Sequence, residues 1–240
     1  MDLTERQKNL LRAIIEKYIE TAEAVGSETI EKESGLGVSP ATIRNEMVKL
    51  TQLGYLRQPF TSAGRMPTSM GMKFYVDQLM EEKALSLKDE VAIKEELGEQ
   101  KVSFEKLLRH TARVLADQTH SMSVITDEEG DVYAAGMANI LDMPEFYDID
   151  ITKTVLSMID KVEMLNQIFS QLSPEDQIKI LFGDELGVPY LEPCGVVVTR
   201  YRMPQHNGVL SIIGPSRLNY PVVIPTMRYF AQLLSEMSRI

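Results

Sequence analysis

Residues 36–47 read LGVSPATIRNEM, a tight turn that leads directly into the start of a helix. Ser39 is a good N-cap residue, because its hydroxyl can accept a hydrogen bond from a backbone N–H of the first turn. Pro40 suits the first helical position, since the N–H that it lacks would have no helical partner there. The stretch therefore predicts a helix that begins at Ser39 and runs to about Leu53, where Gly54 ends it.

The predicted helix has one apolar side and one polar side. At about 100° per residue, Ile43, Met47 and Leu50 fall on the same side. A DNA-recognition helix needs such a side for docking, and a polar side whose donors match base edges. Asn can pair with adenine through two hydrogen bonds, and Arg and Lys suit guanine. The polar side consists of Thr42, Asn45, Lys49 and Gln52, with Arg44 on the flank.

Two further helices are predicted before this stretch, and a β-ribbon after it. Thr4 can cap the first helix, and Gln7 completes a capping box. Three helices followed by a β-ribbon are the order of a winged helix-turn-helix. Each of these features taken alone, however, also fits a solvated amphipathic helix beside a loop. Arg57 and Arg65 flank the ribbon, from where Arg commonly enters a minor groove or clamps a phosphate. The elements are helices over about 4–22, 27–33 and 39–53, a ribbon over 55–67 with its tip at 61–65, and a helix from 68 to about 80.

The charge is distributed unevenly along the chain. The 240 residues carry a net charge of −10, yet residues 1–80 hold ten basic and ten acidic residues. Residues 36–75 hold five basic residues against Glu46 alone, a local charge of +4. Because binding depends on the field of a local face rather than on overall charge, a basic module on an acidic body is compatible with a nucleic-acid partner.

Composition excludes several classes of protein. Hydrophobic residues make up 44% and charged residues 25%, which is typical of a folded chain. The single Cys194 cannot form an intrachain disulfide. The first residues lack the apolar core of a signal peptide, and no apolar run approaches the roughly 18 residues of a membrane span. We therefore expect a location in a reducing cytoplasm, away from membranes.

The remainder of the chain indicates a connector and a mixed α/β domain. Residues 81–102 hold four basic and seven acidic residues and predict an acidic helical linker. Apolar periodicity distinguishes helices from strands in the rest. Helices are expected over 103–119, 151–172 and 222–237, and strands over 121–126, 132–137, 178–182, 195–201 and 209–213.

Nothing in the sequence has the pattern of a catalytic, metal or cofactor site. His110 and His120 lie ten residues apart and His206 lies in a predicted hairpin, so metal-ligand spacing is absent. Cys194 precedes a strand and fits a small buried residue better than a nucleophile. The acidic turn over 127–131 fits a solvated turn. We therefore expect no enzyme, no cofactor and no metal.

Several motifs resemble the HrcA family of bacterial heat-inducible transcription repressors. The stretch 36–47 is similar to that family's recognition helix, and residues 53–68 are similar to its wing. A continuous match of about 75 residues is highly specific. Further similar segments are LTERQ at 3–7, YIET at 18–21, VGS at 25–27, ANIL at 138–141, PEF at 144–146 and IGPSRLNY at 213–220.

The resemblance implies an α+β architecture with two domains. It implies a winged helix-turn-helix domain over 1–80, followed by the linker over 81–102 and a GAF-like mixed α/β domain for regulation and dimerisation over 103–240. Family members are usually longer and carry an inserted dimerisation domain. Between Ser123 and Ala138 there is room only for a hairpin, so we expect that inserted domain to be absent or reduced.

The resemblance also implies a function. A homodimer would bind an inverted repeat of double-stranded DNA, the CIRCE element, and block transcription of chaperone genes in the bacterial nucleoid, with chaperonin as a helper of the active form. By position, DNA binding falls to Ser39, Thr42, Arg44, Asn45, Lys49, Arg57, Thr61, Ser62 and Arg65.

Two other functions stay open at this point. One is a ligand-gated regulator, in which the GAF-like domain senses a small molecule, although strands 195–199 and 209–213 are apolar enough to be plain core. The other is a protein-interaction module whose winged helix contacts a protein instead of DNA. The apolar residues of the last helix, such as Met227 and Phe230, fit either a core or a dimer seam.

Overall fold

A computed structural model describes residues 3–98, 103–173 and 177–237. The chain divides into two compact units, Met1–Glu81 and Glu82–Ile240. Across the described ranges, none of the helices combines the length and the apolar character that crossing a bilayer requires.

The first unit contains the predicted helices and ribbon. Its elements are α1 (Glu5–Thr21), α2 (Ser27–Glu33), α3 (Pro40–Gln52), β1 (Leu56–Arg57), β2 (Met66–Pro67), α4 (Ser69–Phe74) and a π-helical turn (Tyr75–Leu79). The capping box of α1 is confirmed: the Thr4 hydroxyl accepts from the Gln7 backbone N–H, and the Gln7 side chain accepts from the Thr4 N–H. On one side of α1, Leu10, Leu11, Ile14 and Ile15 are buried.

The ribbon forms a short wing. We call residues 56–67 the wing and residues 58–65 between its strands the wing loop. β1 and β2 pair antiparallel, with Leu56 opposite Pro67, and Val25 adds a bridge to Arg65. Gly64 makes this close approach possible, because a Cβ there would lie 2.4 Å from the Val25 carbonyl oxygen. A side chain at this position would push the wing away from Val25.

The helix after the wing differs from the single helix expected to about residue 80. α4 ends at Phe74, and a π-helical turn over Tyr75–Leu79 continues it. The Met80 N–H donates to the Tyr75 carbonyl at 2.8 Å, which closes the wider turn. Apolar periodicity does not distinguish an α-turn from a single π-turn.

The second unit is a five-stranded antiparallel sheet between helices. The strands are β3 (Met122–Asp127), β4 (Val132–Ala135), β5 (Lys179–Phe182), β6 (Cys194–Arg202) and β7 (Asn207–Pro215), in the order β4-β3-β7-β6-β5. The helices are α5 (Leu87–Gly98), α6 (Phe104–Thr119), α7 (Met137–Leu141), α8 (Ile149–Asp160), α9 (Val162–Phe169) and α10 (Tyr220–Glu236), with 3-10 turns at Pro144–Tyr147 and Gly183–Leu186. The second unit is thus the mixed α/β domain that the resemblance implies.

The two faces of the sheet carry different helices. On one face, Val124 and Val196 share a hydrophobic cluster with Ile140 of α7, Met158 of α8 and Leu165 of α9. Because side chains alternate along a strand, the neighbouring residues turn to the other face, where α6 and α10 pack. The first face is covered by the buried side chains of this cluster.

Two elements of the second unit differ from the sequence prediction. The single helix expected over 151–172 is wrong: α8 and α9 are separated at Lys161, whose φ of −119° and ψ of 82° are not helical. The strand expected over 132–137 ends at Ala135, because Gly136 takes a left-handed φ of 75° and starts α7. In both places an uninterrupted apolar pattern continues across a change of backbone direction.

The acidic segment over 81–102 is helical in α5, and residues 99–102 lie outside the described residues. α5 buries Ile93 and Leu97. The Tyr229 hydroxyl donates to the Glu90 carbonyl at 2.8 Å, and Arg228 makes two hydrogen bonds to the Glu82 carboxylate at 2.7 and 3.0 Å. Residues 82–98 are therefore packed elements of the second unit.

Candidate nucleic-acid interface

The recognition helix predicted from the sequence has the expected two sides. Ile43, Met47 and Leu50 are at most 3% exposed, which confirms the docking side. Arg44 and Asn45 are exposed on the other side. Lys49 and Arg57 are exposed as well, on α3 and at the end of β1. The first unit thus presents a polar helix surface backed by an apolar core.

Ser39 caps α3 as expected. Its hydroxyl oxygen accepts a hydrogen bond from the Thr42 N–H at 3.3 Å, and it lies 3.0 Å from the Thr42 hydroxyl. The two hydroxyls therefore satisfy each other at the start of the helix. Thr42 is half-buried, so its first role in the free protein is to complete the cap.

An open groove of about 620 Å³ separates α3 from the wing loop. We call it the wing groove. Its walls are the start of α2 at Ser27, the α3 residue Arg44, and the wing-loop residues Thr61, Ser62 and Arg65. The groove brings together four of the nine predicted contact residues. The other five, Ser39, Thr42, Asn45, Lys49 and Arg57, do not line it.

Arg65 lies at a different place from the one expected. The sequence placed it at the wing tip, whereas it lies at the base of the wing loop, next to β2, and is half-buried. Its Nε donates to the Thr51 Oγ1 of α3 at 3.0 Å, and its backbone pairs with Val25. The guanidinium therefore also ties the wing to the recognition helix.

Two wing-loop residues were not among the predicted contacts. The Gln58 side-chain amide donates to the carbonyls of Thr61 at 2.8 Å and Ala63 at 3.0 Å, which fixes the shape of the loop. Phe60 is 66% exposed in the same loop. An aromatic residue within an otherwise polar loop is the signal by which the sequence could have indicated this position.

Glu46 is the third residue that sequence reasoning did not assign. It lies on α3 beside the polar side, yet it is only 5% exposed. Lys49 Nζ lies 3.0 Å from its Oε1, Gln7 Nε2 lies 3.0 Å from its Oε2, and Arg6 lies 3.6 Å away. The hydrogen bond from Lys49 lowers the pKa of Glu46 against the opposing effect of burial, and the bond from Gln7 adds to the decrease.

Comparison with protein-family models places this geometry in a known group. Residues 2–80 match the model described as the winged helix-turn-helix transcription repressor, HrcA DNA-binding domain. Residues 73–224 match the model of the HrcA protein C-terminal domain. The chain belongs to the HrcA family. Its first unit is therefore a winged-helix DNA-binding domain of a family of transcription repressors.

Similar HrcA proteins cover the whole chain. The heat-inducible transcription repressor HrcA of Carboxydothermus hydrogenoformans is 28% identical over 335 positions, which cover 98% of both chains. That of Desulforudis audaxviator is 29% identical over 336 positions, again covering 98% of both. Because 335 positions exceed the 240 residues of this chain, at least 95 positions of the Carboxydothermus HrcA have no counterpart here. The chain is a shortened member of the HrcA family.

A solved structure has the same fold. A crystal structure described as that of a hypothetical protein matches with a TM-score of 0.76 and 20% sequence identity, covering 98% of this chain and 97% of that one. In this HrcA-family chain, the region from Ser123 to Ala138 contains the expected hairpin of β3 and β4. The motif similarity in the second unit thus corresponds to a folded domain.

Proposed function

We propose that this HrcA-family chain is a heat-shock transcription repressor that binds a CIRCE-type inverted repeat. The observation that carries the proposal is the wing groove, which lies beside the exposed polar side of α3 in a family of DNA-binding repressors. Residues 1–80 would bind DNA, and residues 103–240, together with the packed residues 82–98, would regulate and dimerise.

The geometry suggests how each surface would meet DNA. α3 would enter the major groove, where Arg44 and Asn45 can donate to base edges. The neighbouring sugar-phosphate backbone would then occupy the wing groove, whose hydroxyls at Thr61 and Ser62 suit phosphate oxygens. Arg57 and Lys49 would add phosphate or base contacts at the margins. Ser39 and Thr42 would position the start of α3 against the sugar-phosphate backbone of the DNA.

Repression would follow from occupancy of the promoter, without chemistry on the DNA. Two copies bound to an inverted repeat must place their recognition helices one helical turn apart, or a multiple of it. We therefore propose a homodimer assembled through the second unit, acting in the bacterial cytoplasm at the nucleoid. We also propose that chaperonin helps the chain to fold. This is tested by comparing the yield of refolded, DNA-binding protein with and without chaperonin.

The alternative of a ligand-gated regulator has less support. The sheet face on which α7, α8 and α9 pack is covered by buried residues, including Phe146, Met158 and Phe169, each at most 6% exposed. A ligand shifts DNA affinity only through its differential affinity for two states of the protein. No described feature of this face favours such a ligand.

Fluorescence anisotropy tests the proposed function. The full chain is titrated onto a CIRCE-type inverted repeat and onto a scrambled duplex, each at two salt concentrations. We expect tighter binding to the repeat and a steep loss of affinity with salt on both duplexes, because phosphate contacts release counterions. Equal and weak binding to both duplexes would contradict the proposal.

A further inference from the structure

The recognition helix carries a buried negative charge next to its positive ones. Glu46 is the only acid in α3, Pro40–Gln52, and its side chain is 6% exposed. The two cations that contact it, Lys49 and Arg6, are each 57% exposed. A buried carboxylate thus underlies two solvent-facing cations, of which Lys49 lies on the side of α3 that the proposed function assigns to DNA.

The position of the carboxylate is fixed from the first helix. Gln7 Nε2 donates to Glu46 Oε2 at 3.0 Å. The Oε1 of Gln7 accepts from the Thr4 N–H at 3.0 Å as part of the α1 capping box. The cap therefore orients the amide so that its NH₂ group faces Glu46. The other oxygen of the Glu46 carboxylate, Oε1, accepts a hydrogen bond from Lys49 Nζ at 3.0 Å.

An ammonium that already pairs with a carboxylate contributes less to general phosphate attraction. Non-specific DNA binding comes from phosphate neutralisation, with a salt slope of roughly 0.9 for each phosphate. Base-edge hydrogen bonds depend on donor position instead. Lys49 has three donors, and one bond to Glu46 leaves others to face DNA.

We propose that Glu46 is a specificity-determining residue of the DNA interface. Its single negative charge compensates chiefly that of Lys49, at 3.0 Å, rather than that of Arg6, at 3.6 Å. As a result, α3 binds arbitrary DNA weakly while Lys49 keeps a fixed position for the operator. The inference rests on the proposed function, since it needs a DNA-binding chain. Glu46 is a positioning residue and does not itself contact DNA.

The test is the substitution Glu46→Gln in the full chain, measured by anisotropy on operator and scrambled duplexes over a range of salt. We expect affinity for the scrambled duplex to rise about five- to tenfold, and its salt slope to steepen by about 0.9, as for one added phosphate contact. Discrimination between the two duplexes should fall by a similar factor. Glu5→Gln is the matched control, because it removes the same charge from an exposed α1 side chain that pairs with Lys8.

Lys49→Gln provides an independent test that does not depend on folding of the Glu46 variant. We expect it to lower operator affinity at least threefold, while the salt slope on scrambled duplex changes by less than about 0.3, since the charge is already compensated. In the Glu46→Gln background, the same substitution should remove the gain in scrambled affinity. Thermal melting of each variant verifies that it is folded.

The outcomes separate the two levels of the account. A wild-type chain that binds neither duplex, or binds both equally, would overturn the proposed function. A wild-type chain that discriminates, with Glu46→Gln indistinguishable from Glu5→Gln, would overturn the role of Glu46 alone. A loss of about 0.9 in the scrambled-duplex salt slope on Lys49→Gln in the wild-type background would overturn it as well.

Discussion

Two motif residues of the first unit face solvent, whereas motif residues of the second unit bind to their own fold. Arg44 and Asn45 project from α3 as exposed side chains. In the second unit, Arg217 makes two hydrogen bonds to the Glu145 carboxylate, at 2.7 and 3.0 Å, and both side chains are mostly buried. The Asn139 amide donates to the Ser121 carbonyl at 3.1 Å.

Residues in motifs that resemble the HrcA family can therefore have different roles, some in binding and others in folding. Arg44 and Asn45 are exposed side chains of α3, so we attribute them to binding. The pairs of the second unit fasten the segment over 137–147 to the sheet and to the loop before α10, so we attribute them to folding. Substitutions in each unit therefore test this division.

Removal of the buried pair in the second unit should cost the most stability. We expect Arg217→Ala to lower the free energy of unfolding by about 3–5 kcal/mol, because it leaves the Glu145 carboxylate buried without its partner. Urea unfolding followed by circular dichroism measures the loss. Arg228→Ala is the matched control: its pair with Glu82 is half-exposed, so we expect about 1 kcal/mol or less.

If both variants lost the same stability, the pair between Arg217 and Glu145 would not be a fold-holding contact. The motif residues of the second unit could then no longer be attributed to folding.

Substitutions on the exposed side of α3 should have the opposite profile. We expect Arg44→Ala and Asn45→Ala each to reduce discrimination between operator and scrambled duplex by about 1–3 kcal/mol, as for a lost base contact. Stability should stay within about 0.5 kcal/mol of the wild type, because exposed side chains contribute little. Lys32→Ala, an exposed change on α2, serves as the control. Unaltered discrimination in both α3 variants would remove them from the base-reading surface.

The tie between the wing and α3 should produce a smaller effect. Thr51→Val keeps the side-chain shape but removes the acceptor of the Arg65 Nε bond. We expect about 1 kcal/mol of lost DNA affinity, the typical contribution of one hydrogen bond. Equal losses on operator and scrambled duplex would fit a wing that contacts backbone. A loss confined to the operator would instead indicate that Arg65 contacts bases.

The smallest effect concerns pH. The pKa of Glu46 is lowered in the folded protein, mainly by the bond from Lys49. A carboxylate whose pKa is lower in the folded state adds stability above its unfolded pKa of about 4.3, and this is lost as pH falls through the folded value. The stability difference between wild type and Glu46→Gln should therefore shrink below about pH 4. A difference that grows on acidification would contradict the direction of the pKa shift.

Sequence patterns predicted the parts of the molecule that depend on neighbouring residues. The capping box of α1 and the two sides of α3 follow from spacing of three or four residues, and both are confirmed. The pairing of Gln7 with Glu46 joins residues 39 positions apart, so no local pattern could indicate it. The hydrogen bond between Arg65 and Thr51 joins residues 14 positions apart, so no local pattern could indicate it either. Arg65 therefore lies at the base of the wing loop and not at the predicted tip.

The break between α8 and α9 was missed for a related reason. Neither Gly nor Pro lies next to Lys161 in the sequence, and Ile159 and Val162 continue the apolar pattern across it. The cluster on the sheet contains buried residues from both helices, such as Val155 and Leu165, so packing overrides the helical periodicity there. The expected roles of the nine contact residues stay predictions, which the substitutions of Arg44, Asn45 and Lys49 test in part.

A hydroxyl-radical footprint of the full chain on a CIRCE-type inverted repeat tests operator reading by α3 directly. We expect protected backbone in both half-sites, separated by one helical turn or a multiple of it, and loss of that pattern with Asn45→Ala. Protection that spreads evenly over operator and scrambled DNA, or that survives in the variant, would contradict reading of the operator by α3 and the wing groove.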